Sequence, residues 1–366
     1  MANKNKIVSV YWNTDLLGRL SILPNKLTVF EYDSSFIKNG TSISPFYLPL
    51  KPGVFTAKLA PFNGLFGVFN DSLPDGWGTL LTNRILKEKG IDLSELTVLD
   101  RLCLVGNNGV GALSYVPEWN IGESKAINDY ILIAQNVEQI LKFDRFENLS
   151  ELYKMGGSSG GAIPKIFTKI NNEDWIVKFK AVIDPENIGQ IEYDYSLAAK
   201  KCGIEMSETN LFDKRFFGTR RFDIENNKKH HLHTAAGLLY ASHRLPSLDY
   251  LELMKATFAL TSDIKEMYKL FRLMVFNVLT ENRDDHSKNF SFIYKDNKWQ
   301  LSPAYDLVKT YGFNGQHTTT ILGKGNPTKE EMFELGTRMN LKKQILNNIF
   351  NEVLEGTKDL IEKYCK

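Results

Sequence analysis

The sequence feature that most constrains the fold is a long amphipathic segment followed directly by a polar stretch and a hairpin pattern. Apolar residues recur at helical spacing from Ile264 to Leu279, and the stretch TENRDDHSKNFSF (280–292) follows without a break. Two alternating runs then flank Lys295-Asp296-Asn297-Lys298, a composition that favours a tight β-turn. The polar stretch is therefore anchored at both ends by buried elements, so its side chains should have defined positions.

The order of patterns along the chain predicts an α+β protein. Strand-like runs separated by turns fill the first third, and helical patterns dominate from about residue 247, ending in Lys329–Asn340 and Lys342–Tyr364. We predict a β-rich N-terminal subdomain over residues 1–145 and a two-lobed core over residues 146–366. Within that core, a small lobe extends to about residue 246, and residues 247–366 form a mostly α-helical lobe.

Composition gives no reason to expect a nucleic acid or a membrane as the direct partner. Lys and Arg (45) almost balance Asp and Glu (43), which leaves a net charge of +2. The three cysteines are far apart and form no metal or disulfide spacing, and no apolar run reaches the length that spans a bilayer. These observations predict a cytoplasmic protein with free thiols.

A glycine cluster, GGSSGGA (156–162), precedes a second hairpin pattern. Glycines let backbone N–H groups approach an anion closely, which favours a phosphate cradle. The cluster is not a Walker A loop, because Ala162 rather than lysine follows Gly161. A flexible linker is the alternative, and both interpretations stay open at this point.

Lys178 lies on the strand pattern WIVKFK that follows this cluster. A lysine on a strand paired with a glycine-rich loop can reach phosphates beneath the loop, as the strand lysine of protein kinases does. Glu192, at the start of the next helical pattern, could orient that lysine by ion pairing. A solvent-facing lysine is the ordinary alternative, and only the combination with the loop favours phosphate binding.

The polar stretch and the hairpin behind it supply three oxygen-bearing side chains. If the turn centres between Asp296 and Asn297, Asn289 lies opposite Ala304, and Asp306 lies just past that position. Asn289 and Asp306 would then suit Mg²⁺, while Asp284 stays available to accept a hydroxyl proton. The spacing Asp-x-x-x-x-Asn matches the catalytic loop of protein kinases and predicts phosphotransfer. A charged surface loop is the alternative.

With these residues assembled, the chain resembles the HipA family, the serine/threonine kinase toxins of bacterial HipBA-type toxin–antitoxin pairs. In the first part of the chain the resemblance is carried by LLGRLS, FNDSLPDGWG and LVGNNGVGALSYVP. In the second part it is carried by SSGGAIPK, WIVKF, RRFD, NRDDHSKNFSF and LSPAYDL. The last two segments in tandem are the specific signal.

The resemblance implies that the two-lobed core over residues 146–366 is protein-kinase-like. It also implies ATP and Mg²⁺ as cofactors and Asp284 as the catalytic base. Asn289 and Asp306 would hold the metal, and the hinge that receives adenine would be Arg220–Phe222. The residues implied to bind ATP are Gly160, Gly161, Lys165, Lys178, Arg220, Arg221, Phe222, His286, Asn289, Tyr305 and Asp306. Autophosphorylation of a loop serine, at the position of Ser158 with Ser159 next to it, would switch the kinase off.

The resemblance also implies two protein partners: a protein substrate, such as an aminoacyl-tRNA synthetase, and a small helix-turn-helix antitoxin. DNA would be bound only through that antitoxin. Two departures stand out: the loop is richer in glycine than the family motif, and Ile224 follows Asp223 where a basic residue is frequent. A small-molecule or lipid kinase and a non-catalytic pseudokinase are the alternative functions.

Overall fold

The computed structural model describes residues 6–121, 127, 129–143 and 148–365. They divide into two compact units, of which the first contains Met1–Gln190 and Thr209–Leu232, and the second contains Ile191–Glu208 and His233–Lys366. The predicted subdomain boundary at 145/146 lies outside the described residues and stays a prediction.

Strands and helices alternate throughout the chain. The N-terminal elements are β1 (Ile7–Trp12), β2 (Asp15–Ile22), β3 (Thr28–Tyr32), α1 (Ser34–Asn39), β4 (Val54–Thr56), α2 (Gly67–Asn70), α3 (Gly76–Glu88), α4 (Val98–Val105) and β5 (Leu113–Val116). The central elements are α5 (Tyr130–Lys142), α6 (Leu149–Gly156), β6 (Lys165–Ile170), β7 (Glu173–Lys178), α7 (Ile188–Lys201), β8 (Thr209–Phe212), β9 (Phe216–Arg220), β10 (Ile224–Glu225), β11 (Lys228–Lys229) and β12 (His231–Thr234). The C-terminal elements are α8 (Ala235–Leu239), β13 (Leu248–Asp249), α9 (Tyr250–Thr261), α10 (Ile264–Leu279), β14 (Ser291–Lys295), β15 (Lys298–Leu301), β16 (Thr319–Thr320), α11 (Lys329–Arg338), α12 (Lys343–Gly356) and α13 (Lys358–Tyr364).

The first unit contains two larger antiparallel sheets and the two-stranded pair β10-β11. One has the strand order β4-β3-β2-β1-β5, and it confirms the β-rich N-terminal region. Alternation buries Val8, Val10 and Leu20, and Phe30 of the same sheet contacts Phe69 with ring centroids 5.1 Å apart. The second sheet has the order β6-β7-β9-β8, so the hairpin predicted after the glycine cluster is present.

In the second unit, α10 spans the segment predicted to be helical, Ile264–Leu279. Its N-cap Asp263 accepts from the Lys265 N–H, and its buried face includes Phe271 and Met274. The β14–β15 hairpin has Lys295 opposite Lys298, which is the predicted register. Asp296 and Asn297 adopt φ values of 52° and 58°, the backbone that a two-residue type I′ turn requires.

The prediction of one helix over Lys342–Tyr364 is wrong, because α12 ends at Gly356 and α13 begins at Lys358. A Cβ on Gly356 would lie 2.5 Å from the Cys202 Sγ, so close packing within the second unit requires glycine there. Thr357 then donates its hydroxyl back to the Val353 carbonyl (2.7 Å), which favours a break in the helix. Within the described ranges, no helix is long and apolar enough to cross a membrane.

Candidate functional site

The end of α10 is held by a network of buried amides, and this network sets the start of the polar stretch. The Asn282 N–H donates to the Asn277 carbonyl, and its side-chain nitrogen donates to the Asn277 Oδ1, both at 3.0 Å. Asn277 in turn donates to the Tyr250 hydroxyl at 3.1 Å. Glu281, between them, adopts a left-handed φ of 55° that ends the helix. The chain therefore leaves the core in a fixed direction.

Asp284, the predicted base, is held by hydrogen bonds from its backbone on both sides. Its N–H donates to the Thr310 Oγ1 at 2.8 Å, and its carbonyl accepts from the Asn289 Nδ2 at 2.7 Å. This hydrogen bond also fixes the side-chain amide of Asn289. Its Nδ2 is engaged, so its Oδ1 is the atom that can bind a ligand. The structure therefore brings two predicted site residues, five positions apart in sequence, into direct contact.

The carboxyl group of Asp284 has a pKa above the ordinary value for aspartate. Desolvation by the surrounding protein is the main cause, and the negative charges of Asp306 and Asp285 add to it, while His286 acts in the opposite direction. A carboxylate with a raised pKa is a stronger proton acceptor, which suits a general base. The shift also places Asp284 and Asp306, distant in sequence, in one electrostatic environment.

Asp285, which had no predicted role, is a buried junction of the second unit, with 1% of its surface exposed. Its Oδ1 accepts from the N–H groups of Thr318 (2.9 Å) and Thr319 (3.2 Å). Its Oδ2 accepts from the Tyr250 hydroxyl and lies 3.2 Å from the His317 Nδ1. Asp284 and Asp285 are adjacent in sequence. Burial distinguishes the structural Asp285 from the more accessible Asp284.

Tyr305 and Asp306 follow the hairpin, as the register predicts. The Tyr305 hydroxyl donates to the Lys288 carbonyl at 2.6 Å and is hydrogen-bonded to the Ser291 Oγ, so it ties the end of the polar stretch to β14. Asp306 adopts a left-handed φ of 54°, a conformation that is uncommon for residues other than glycine and that aspartate tolerates better than most. Such strain persists where the surrounding structure fixes it, often at functional sites.

The oxygen-bearing residues of this region suit Mg²⁺ better than a transition metal. Asn289 and Asp306 offer hard oxygen ligands, and Mg²⁺ needs only one or two of these beside water and phosphates. In the part of the chain that the structure describes, no group of three or more His, Cys, Asp and Glu residues is placed to hold a metal. The Nδ1 atom of His286 is buried, and it has no hydrogen-bond partner among the residues that the structure describes. This fits a position that lines a ligand site.

In the first unit, the glycine cluster enters β6 beside two buried lysines. Lys165 lies directly opposite Lys178 across the β6–β7 pair, and the two residues are 7% and 6% exposed. Gly161 has a φ of 81°, and a Cβ there would lie 2.8 Å from the Lys165 Nζ. Neighbouring buried cations next to a glycine-rich backbone form an environment that favours an anion.

The glycine cluster is held against the N-terminus of α3. The N–H groups of Asp75 and Trp77 donate to the Ser159 and Gly161 carbonyls at 3.4 and 3.3 Å. A Cβ on Gly78 would lie 2.6 Å from the Ser159 carbonyl oxygen, so this approach requires glycine. The DGWG motif is thus the partner of the glycine cluster, and the cluster is not a free linker.

The predicted hinge residues form their own ion pairs within the first unit. Arg221 is buried and pairs with Asp223 at 2.6 Å, and Arg220 pairs with Glu173 at 2.8 Å. Burial opposes ionisation of Asp223, but Arg221 beside it, with the N–H of Gly111, holds the pKa of that carboxyl below its usual value. The two arginine side chains are therefore engaged in ion pairs within the first unit, and adenine recognition at this segment stays a prediction.

The loop at 106–111, part of the motif LVGNNGVG, makes contacts that we did not predict with the segment that follows this hinge. The Gly111 N–H donates to the Asp223 Oδ2 at 2.8 Å, and Lys229 donates its ammonium to the Asn107 and Gly109 carbonyls at 2.6 and 3.2 Å. Burial lowers the pKa of Lys229 to about 8, and the charge of Arg221 adds to that effect. The closely spaced glycines of the motif were the feature of the sequence that could have indicated a close contact of this loop with another segment.

The predicted roles of Glu192, Ser158 and Ser159 stay predictions. Glu192 is buried on α7 in the second unit, whereas Lys178 belongs to the first, so their ion pair stays a prediction. Ser158 is half-buried in the glycine cluster and donates its hydroxyl to the Asn108 carbonyl at 2.7 Å. Ser159 is buried, and its hydroxyl bonds the Gly156 carbonyl at 2.6 Å.

Comparisons with known proteins agree with this fold and with these motifs. Residues 8–116 match the HipA N-terminal domain, and residues 157–361 match the HipA-like C-terminal domain. The chain is 22% identical over 372 residues to Y4dM of Sinorhizobium fredii (strain NBRC 101917 / NGR234), which is named as a kinase; the alignment covers 93% of this chain and 87% of Y4dM. Y4mE of the same organism, also named as a kinase, is 35% identical over 75 residues, which cover 20% of this chain and 17% of Y4mE.

Among solved structures, the chain resembles HipA of the Shewanella oneidensis MR-1 complex of HipA, HipB and operator DNA. The TM-score is 0.72 at 17% identity, over 98% of this chain and 90% of that chain. The fold is thus a mixed α/β fold with a β-rich N-terminal region, and its motifs are of the kinase type. The chain belongs to the HipA family of toxin kinases.

Proposed function

We propose that this protein is an ATP- and Mg²⁺-dependent protein serine/threonine kinase and the toxin of a type II toxin–antitoxin pair. The observation that carries the proposal is the fixed position of Asp284, held by Thr310 and Asn289, with a raised carboxyl pKa. An accessible, basic carboxylate beside an amide ligand is what transfer to a hydroxyl group requires.

In this proposal the residues of the second unit handle the proton and the metal. The carboxylate of Asp284 would take the proton of the substrate hydroxyl as that oxygen bonds to the γ-phosphorus and the bond from this phosphorus to the ADP oxygen breaks. Asn289 and Asp306 would hold Mg²⁺, and His286 and Tyr305 would line the nucleotide site. The metal supplies charge neutralisation on the transferred phosphoryl group.

The residues of the first unit would bind the nucleotide. The buried pair Lys165 and Lys178, with the backbone of Gly160 and Gly161, supplies positive charge and N–H donors for phosphates. Backbone groups of Arg220–Phe222 would receive adenine. Glu192 would orient Lys178.

Regulation would occur through the glycine cluster. Phosphorylation of Ser158 removes the proton that it donates to the Asn108 carbonyl and adds a charge of about −1.5 to −2. The loop would then repel the phosphates of ATP and lose a contact that holds it. Ser159 is the less accessible candidate, because it is buried.

We further propose a small helix-turn-helix antitoxin as a partner, since the Shewanella HipA was solved with HipB and its operator DNA. The net charge of +2 supports DNA contact through the antitoxin rather than by this chain. The substrate would be a protein, such as an aminoacyl-tRNA synthetase.

The test compares Asp284→Asn with Asp296→Asn, a matched change in the exposed turn of the β14–β15 hairpin. We expect Asp284→Asn to lower kcat by about 10²- to 10⁴-fold, while the Kd of a fluorescent ATP analogue stays unchanged. Asp296→Asn should retain full turnover. Undiminished turnover of Asp284→Asn would refute the assignment.

A second experiment offers the wild-type protein and ATP a panel of acceptors that includes proteins, inositides and sugars, and it separates the alternative functions. Transfer to inositides or sugars alone would indicate a small-molecule or lipid kinase. Nucleotide binding without transfer to any acceptor would indicate a pseudokinase.

A further inference from the structure

A cavity in the first unit opens beside the glycine cluster. Its volume is about 90 Å³, and its walls include Thr79 and Thr82 of α3, Arg101, Leu104 and Val105 of α4, and Gly157. Because one water molecule needs about 10–15 Å³ of such space, the cavity is large enough for a tetrahedral oxyanion. The residue that follows Gly157 is Ser158, so the cavity lies next to the proposed phosphorylation site.

Arg101 gives this cavity a positive charge. It is half-buried, and within residues 6–121, 127, 129–143 and 148–365 its guanidinium group has no hydrogen bond or ion pair, while its backbone N–H donates to the Thr97 carbonyl. The lining residues include no aspartate or glutamate. A guanidinium group that has lost part of its hydration, in a cavity wall without acidic residues, favours an anion, and its planar fork matches a phosphoryl group.

Hydrogen bonds connect the wall of the cavity to the loop that carries Ser158. Thr82 donates its hydroxyl to the Gly157 carbonyl at 3.3 Å. The Ser158 hydroxyl donates to the Asn108 carbonyl at 2.7 Å, and the Asn108 N–H donates to the carbonyl of Val105 at 2.9 Å. Val105 follows Arg101 by one helical turn on α4, so the two line the same side of the cavity. A phosphoryl group on Ser158 would begin at the edge of this cavity.

Phosphorylation would also push the Ser158 side chain away from its present partner. The bond from the Ser158 Oγ to the γ-phosphorus forms as the bond from that phosphorus to the ADP oxygen breaks, and Asp284 of an active copy takes the hydroxyl proton. The new dianion has no proton to donate to the Asn108 carbonyl and is repelled by that oxygen. Arg101 is the cation that lines the neighbouring space.

We propose that this cavity is the receptor for the phosphoryl group of Ser158, with the Arg101 guanidinium as its ligand. This inference rests on the autophosphorylation in the proposed function and adds the group that holds the modified loop. Arg101 would stabilise the phosphorylated loop against the first unit and delay its return to the unmodified form.

The test uses protein in which phosphoserine is inserted at position 158 during translation, in the Asp284→Asn background. The modification is then independent of the chain's own activity. Removal of the phosphate by a broad-specificity phosphatase is followed by mass spectrometry. A charge-assisted hydrogen bond contributes about 1.5–3 kcal/mol, so we expect dephosphorylation to be about 10- to 100-fold faster in Arg101→Gln than with Arg101 present.

Two further variants keep the result interpretable. Arg101→Lys keeps the charge without the fork and should give an intermediate rate. Arg244→Gln, a matched change at an exposed arginine, should leave the rate unchanged. Equal dephosphorylation rates in the protein with Arg101 and in Arg101→Gln would refute the proposal that this cavity binds the phosphoryl group. Absence of phosphate on Ser158 in wild-type protein incubated with ATP would instead count against the proposed function alone.

Discussion

Replacement of Asp285 by alanine should destabilise the second unit far more than loss of an ordinary surface acid. The carboxylate is 1% exposed and accepts hydrogen bonds from the N–H groups of Thr318 and Thr319 and from the Tyr250 hydroxyl. Its Oδ2 also lies 3.2 Å from the Nδ1 of His317. Truncation leaves these polar groups buried without an acceptor.

The cost follows from the number of groups left unsatisfied. Each buried donor without a partner costs about 1–3 kcal/mol, and removal of one member of a buried charged network costs about 3–5 kcal/mol. We therefore expect Asp285→Ala to lower the free energy of unfolding by about 3–5 kcal/mol. Asp285→Asn keeps an oxygen for the two backbone N–H groups and should lose about 1–2 kcal/mol.

The assay is urea-dependent hydrogen exchange in peptides from α10, because a local signal does not require the whole chain to unfold in one step. The control is Asp359→Ala in the same unit, where the side chain is 90% exposed and pairs loosely with Lys201 at 3.4 Å. This control should change stability by less than about 0.5 kcal/mol. If Asp285→Ala and Asp359→Ala have equal effects, the carboxylate is not a structural junction.

Two further predictions concern proton transfer and the glycine cluster. The pKa of Asp284 is raised above 3.8, mainly by desolvation, so activity should be lost with falling pH earlier than for an ordinary aspartate. Asp285→Asn removes one neighbouring negative charge and should move this acid limb of kcat/KM to lower pH; an unchanged limb would contradict the coupling. Gly78→Ala places a Cβ 2.6 Å from the Ser159 carbonyl oxygen, and overpacking of this kind costs about 1–3 kcal/mol, so hydrogen exchange across residues 156–162 should become about tenfold faster. Gly160→Ala meets no atom within 4 Å and serves as the control, and equal exchange in both variants would refute the close approach.

Local patterns in the sequence predicted the elements that carry the second-unit site. Helical periodicity defined α10, and the turn residues Asp296 and Asn297 set the hairpin register, both of which depend on neighbours within a few positions. This register was enough to expect Asn289 and Asp306 near each other. The break at Gly356 was missed because it depends on Cys202, a residue more than 150 positions away in the sequence.

The sequence by itself determined α10, the β14–β15 hairpin, the family motifs and the spacing of Asp284, Asn289 and Asp306, since these are local properties of the chain. Tertiary structure alone decided which of two adjacent acids is buried, because the donors to Asp285 come from residues 250 and 317–319. It also decided between linker and docked loop for the glycine cluster, because the partner at Gly78 lies some 80 residues earlier. Burial and hydrogen bonding between distant segments give a side chain its chemistry, and neither can be read from a short window of sequence.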